Sequence, residues 1–175
     1  MPDASLPTLD MIARLSIALF FGALVGWERE HKARPAGLRT HILVALGSAG
    51  FTMVALTMIR EFLTIPDSAV PIDPAKIIAG IVGGVGFLGA GSIFQSRDGG
   101  VHGMTTAAGI WVVASVGVAA GAGYYMLAGL LVVFTLFTLQ ALRFVSSRIE
   151  AAADKHADAG DDQDTDGKRK HGDGD

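Results

Sequence analysis

The sequence contains no cysteine. Disulfides, thiolate metal ligands and cysteine nucleophiles are therefore excluded, although this absence alone does not select a compartment. Charge is also scarce. Only 18% of the 175 residues are charged while 50% are hydrophobic, and the mean hydropathy is +0.44, too apolar for an ordinary soluble domain. The first ten residues, MPDASLPTLD, hold no Lys or Arg, and Arg14 lies inside the first apolar run. A cleaved signal peptide is thus not expected, and the first hydrophobic segment stays in the protein. Asp and Glu are missing from the interior of the apolar segments, with Glu28 at a rim. No nucleophile has a partnered base, and no His/Asp/Glu set has the spacing of a metallopeptidase, so the sequence offers no catalytic residues, no metal ligands and no cofactor site.

What is present is a series of membrane-length runs. A span needs about 20 mostly apolar residues to cross roughly 30 Å of hydrocarbon. The chain up to Glu150 accommodates about five of them with short connections, so the expected fold is an all-α, polytopic transmembrane bundle over residues 1–150. Span one is read over Leu9–Trp27, span two over Leu38–Phe62, span three over Pro74–Gln95, span four over Gly103–Val118, and span five from the turn at Gly121 and Gly123 to near Arg143 and Arg148. Trp27, Tyr124 and Tyr125 mark interfaces. Asp73-Pro74 is a strong helix start, an N-cap followed by Pro at the first helical position. After Glu150 no bulky apolar residue remains, and residues 151–175 form an acidic tail expected to be disordered.

The stretch from Ile78 to Ile93 crowds Gly80, Gly83, Gly84, Gly86, Gly89 and Gly91 into an uncharged run. In water such a helix would be poor, each interior Gly costing roughly 0.5–1 kcal/mol relative to Ala. In a bilayer the backbone stays hydrogen-bonded, and small residues let a second helix approach. This helix is therefore expected to be the centre of the bundle, with its glycines buried against neighbours. Gly22 and Gly26 in span one are likewise spaced for close packing.

Lys and Arg favour one side: Arg29, Lys32, Arg34 and Arg39 follow span one and Arg97 follows span three, against Arg60 and Lys76 opposite. The positive-inside rule places the richer side in the cytoplasm, the N-terminus outside and the C-terminus inside. Glu28, Arg29, Arg39 and His41 then gather at the cytoplasmic ends of spans one and two. Glu28 with Arg39 or Arg29 forms a buried-edge ion pair on one reading, and these residues are interface anchors on the other. Arg14 is expected to snorkel to the outer surface. Thr105 and Thr106 are expected to cap span four or, alternatively, to face an ion path, and the backbone around Gly99–Gly103 is a candidate re-entrant dip. Two motif matches fail on context. Gly84, Gly86 and Gly89 fit a dinucleotide fingerprint without its strand. Asp162, Asp164, Asp166 and Gly167 open like an EF-hand loop but are followed by Lys168, Arg169 and Lys170.

Three blocks, GALVGWEREHKARPAGLRTH (Gly22–His41), VGFLGAGSIF (Val85–Phe94) and GMTTAAGIWVVASVGVAAGAG (Gly103–Gly123), together resemble the MgtC/SapB membrane proteins over most of residues 9–148. The resemblance implies a multi-pass protein of the bacterial cytoplasmic membrane with about five spans. It further implies a non-enzymatic role linked to growth at low magnesium and survival inside macrophages and, in some members, restraint of the F-type ATP synthase. The positions carried over are Glu28, Arg29, Pro35, Gly37, Arg39, Thr40, Gly86, Phe87, Gly89, Gly91, Thr105, Thr106 and Trp111. Many relatives continue into a soluble ACT-like domain, whereas here the acidic tail follows Glu150. Expected partners are membrane lipid and a membrane protein or a second copy, with no nucleic acid. The competing expectation is a magnesium or other ion transporter or channel, against which the lack of interior carboxylates weighs, since magnesium prefers oxygen ligands.

Overall fold

A computed structural model describes residues 6–63, 73–97 and 100–141. The chain divides into two compact units, Met1–Leu136 and Phe137–Asp175. The first unit contains the helices α1 (Thr8–His31), α2 (Leu38–Leu63), α3 (Pro74–Gly91) and α4 (Met104–Ala122). Each is long and apolar enough to cross a membrane, and a shorter apolar helix, α5 (Tyr125–Ala141), comes after them. At 1.5 Å per residue the shortest of the four, α3, spans about 27 Å. The expected end of span five near Arg143 and Arg148, the boundary at residue 150 and the acidic tail lie outside the described residues.

Local chemistry sets the helix ends. Asp73 Oδ1 accepts the Ala75 N–H at 2.9 Å with Pro74 behind it, as the sequence predicts. α2 is capped from another helix, Glu30 Oε2 of α1 accepting the Leu38 N–H at 2.9 Å. α4 ends at Gly123, whose φ of +87° suits a residue without a Cβ. The Gly123 N–H donates to Ala120 O at 3.0 Å and the Tyr124 N–H to Ala119 O at 2.8 Å, a Schellman ending that satisfies otherwise orphaned carbonyls.

The centre of the bundle is α4 and not, as expected, the glycine-rich α3. In the most apolar part of α4, 56% of residues are buried, against 17% in α3. α4 runs between α2 and α3 and also touches α1, while α2 packs on both α1 and α4. Small residues make these contacts close. A Cβ at Gly22 would lie 2.9 Å from Ala45 Cβ, and one at Gly26 2.8 Å from Leu38 Cα, which bears out the predicted packing of that pair. On α4, a Cβ at Gly121 would lie 2.8 Å from Ala49 Cα, and one at Gly117 2.9 Å from Ser48 Cβ. The core around these seams is Ala18, Val25, Ala45, Ala49, Val113, Val116 and Ala120, all fully buried. Backbones this close gain dispersion energy that larger side chains would prevent.

Two further expectations are corrected. Span three ends at Gly91, four residues before Gln95, where Ser92 Oγ donates to Gly89 O at 2.7 Å. The chain then forms a small hairpin, β1 (Phe94–Gln95) antiparallel to β2 (Val101–His102), with Phe94 opposite His102 and their rings stacked at 5.7 Å. The hairpin occupies the segment where a re-entrant dip is the sequence-based alternative, and it returns the chain to α4 through Gly103. Gly103 has a φ of +91°, and a Cβ there would collide with the Ser92 carbonyl. Arg14, moreover, does not simply snorkel. Its Nε donates to Asp10 Oδ2 at 2.8 Å and its Nη1 to Gly121 O at 2.7 Å, tying α1 to the end of α4.

Candidate functional site

Two features stand apart from the packed core: a polar rim where α1 ends and α4 begins, and an apolar groove between α2 and α3.

The rim results from antiparallel packing, which brings the end of α1, the start of α2, the hairpin and the start of α4 to one side. Arg29, on the last turn of α1, is only 4% exposed. Its Nη2 donates to Thr106 Oγ1 at 3.3 Å, and Thr106 is itself buried. Thr106 thus receives a bond from α1, and α4 begins at Gly103 with no side-chain cap, contrary to the capping expectation. Thr105 is exposed beside it. Glu28 pairs with Lys32, four residues further on, and not with Arg39 or Arg29, the pairing that is one of the two readings of the sequence. Arg39 is exposed on the first turn of α2, with Thr40 partly buried next to it.

His41 is fully buried where α2 meets α4. Its Nδ1–H donates to Gly37 O at 2.8 Å, and the other ring nitrogen, Nε2, is buried without a partner. A Cβ at Gly109 of α4 would stand 3.5 Å from that nitrogen. Three buried side-chain atoms at this rim lack a hydrogen-bond partner: Glu28 Oε2, Arg29 Nε and His41 Nε2. Such atoms are costly in a low-dielectric setting and mark a place where something polar is accommodated. A cavity of about 350 Å³ opens here, bounded by Arg29, Arg34, Pro35, His102, Thr105 and Thr106 among others. Among the described residues no cluster of three or more His, Asp or Glu could hold a metal ion.

The groove is the larger feature, about 880 Å³. It is lined by small residues, Gly47 and Ser48 of α2 and Gly80 and Gly84 of α3, together with the apolar Leu43, Phe51, Met58 and Leu88. A Cβ added at Gly47, Gly80, Gly83, Gly84, Gly86 or Gly91 would meet nothing within 4 Å. Only Gly89 of the predicted row touches a neighbour, Ala107 of α4 at 3.6 Å. The expectation that this row is buried within the fold is therefore overturned. Of the other sequence-derived candidates, Phe87 is 82% exposed on α3 and Trp111 half-exposed on α4. The rim cavity is lined by Arg29, Thr105 and Thr106, whereas Gly86, Phe87, Gly91 and Trp111 are not among the residues that line it. Arg34 and His102 are site residues that the sequence does not single out. Arg34 is one of several juxtamembrane cations, and His102 reaches the cavity only through a hairpin without hydrophobic periodicity.

Four membrane-length helices, joined by glycine seams and carrying a cationic rim, define a multi-pass membrane protein. The chain belongs to the MgtC family, whose model matches residues 15–148. It is 39% identical over 142 residues to the Escherichia coli K12 protein described as "Putative magnesium transporter YhiD", covering 81% of this chain and 65% of that one. It is 42% identical over 139 residues to Salmonella typhimurium "Protein MgtC", 79% of this chain and 54% of the relative, and 36% identical over 140 residues to Bacillus subtilis "Protein SapB", 80% and 60%. The chain thus spans between about half and two thirds of the length of these three relatives. No solved structure matches it.

Proposed function

We propose that this chain is a non-enzymatic protein of the bacterial inner membrane that regulates a membrane partner by receiving one of the partner's transmembrane helices in the α2–α3 groove. The observation that carries this is the set of groove glycines that the fold itself leaves open. Gly80 and Gly84 repeat at the four-residue spacing that lets two helices approach closely, and Gly47 of α2 lines the same groove. Within a bilayer, apolar walls alone signal only lipid contact; small residues among them add the shape a helix backbone needs.

The family resemblance makes the F-type ATP synthase the first partner to test, and adaptation to low magnesium the setting. The cationic rim at Arg29, Lys32, Arg34 and Arg39 supports an N-terminus outside and a C-terminus in the cytoplasm. A second reading, a magnesium or other ion transporter or channel, draws on the description of the Escherichia coli relative and on the buried carboxylate of Glu28. One pair of experiments separates them. Under the first reading Gly84→Leu strips a co-purifying membrane protein from the complex, and liposomes holding the purified chain pass no magnesium. Magnesium flux that disappears in Glu28→Gln would establish the second instead.

A further inference from the structure

We infer that the rim cavity bounded by Arg29, Arg34 and the start of α4 binds a phosphate oxyanion, a site independent of the α2–α3 groove. Four observations converge on it. Arg29 is almost wholly buried, and with Nη2 bound to Thr106 its Nε is left without a partner. A guanidinium held this way keeps donors for a second acceptor, and the planar fork matches the oxygens of a phosphate. Arg34, exposed on the loop after α1, lines the same cavity and adds a second positive charge. Met104, Thr105 and Thr106 form the first turn of a 19-residue helix whose N-cap, Gly103, supplies no side-chain acceptor. These three residues line the cavity, and a helix start without a side-chain cap offers free N–H groups and the positive end of the helix dipole to an anion. Finally, no Asp or Glu is among the described residues that line it; Glu28, the carboxylate next to Arg29 in the chain, pairs with Lys32 through Oε1 and keeps Oε2 buried without a partner, off the cavity wall.

The geometry selects an oxyanion over a cation, because every charged group on the cavity wall is a donor. It selects a phosphate over a single carboxylate through the number of donors: two guanidinium groups, the Thr105 hydroxyl and the helix start. At about 350 Å³ the cavity is larger than a bare phosphate, leaving room for part of the group that carries it. The rim stands at the ends of membrane-length helices, so the phosphate comes either from solution or from the headgroup of an anionic phospholipid.

The test uses the full chain. Binding of inorganic phosphate is measured in detergent by equilibrium dialysis. Retention of phosphatidylglycerol over phosphatidylcholine is measured by native mass spectrometry of protein from mixed-lipid nanodiscs. Arg29→Gln should abolish binding. Arg34→Gln, at an exposed position that leaves the fold intact, should weaken it about tenfold, and Arg29→Lys should restore it only in part because the fork is lost. Phosphate binding with this variant pattern assigns the site to a soluble ligand. Selective retention of phosphatidylglycerol with the same pattern, without phosphate binding, assigns it to lipid. Absence of both, or binding unchanged in Arg34→Gln and Arg29→Gln alike, overturns the proposal.

Discussion

At the residue scale, Arg14 shows how a charge inside an apolar helix is put to use. Its guanidinium joins Asp10 on its own helix to the Gly121 carbonyl at the end of α4, so a single side chain fastens the end of the most buried helix to the start of the first. Gly123 is the complement: in a left-handed conformation, it passes so close to Arg14 that a Cβ would stand 3.3 Å from Nη1. Arg14→Gln should lower stability by about 1.5–3 kcal/mol, the range for hydrogen bonds to a charged group. Unfolding in detergent measures this, and hydrogen exchange should show the loss concentrated in the last turn of α4. These roles are hidden in the sequence for a physical reason. Arg14 and Gly121 are 107 positions apart, and nothing in the residues around Arg14 distinguishes a guanidinium reaching for lipid headgroups from one reaching for a distant carbonyl. Thr106 is similar: a hydroxyl at a helix start fits an N-cap, and only the arrival of Arg29 from α1 turns it into an acceptor.

At the scale of the element, the two glycine-rich helices have opposite fates. α4 places its small residues inside the bundle, where Gly117 and Gly121 meet the backbone of α2. α3 keeps all of its own but Gly89 on the outside. Gly117→Leu should therefore destabilise by about 1–3 kcal/mol or more, because overpacking displaces α2. Gly84→Leu should stay within about 0.5 kcal/mol of the parent, as at an ordinary surface site. Melting both variants in the same detergent checks the contrast; equal losses would mean that α3 is packed as tightly as α4. The helices themselves are legible in the residues, as are the Asp73-Pro74 start and the Gly22–Gly26 seam, because hydropathy and helix-start chemistry are local. Which glycine helix lies at the centre is not. Glycine content states that a helix can be approached, while the choice of neighbour depends on the side chains of α1 and α2 that close on α4. Hydropathy also places the end of α3 too late, since the apolar residues Ile93 and Phe94 continue the pattern into the hairpin.

At the scale of the whole molecule, the bundle is polarised. The cationic rim and its cavity lie on one side, the Arg14 tie lies at the other, and the groove runs along the α2–α3 flank between them. The chain has no cysteine, so single introduced cysteines report topology cleanly. His31→Cys, at the exposed end of α1, should react with an impermeant maleimide only after the inner face is exposed, and Lys76→Cys, at the exposed start of α3, in intact spheroplasts. The reverse pattern would invert the orientation.

The central claim, that the open groove is a seat for a partner's helix, is tested most directly by photo-crosslinking in native membranes. Benzoylphenylalanine would replace Phe51 on the groove wall or, as a control, Phe20 on the exposed face of α1. The account predicts a discrete protein adduct from position 51, lost in the Gly84→Leu background, and none from position 20. Adducts with lipid alone from both positions would contradict it.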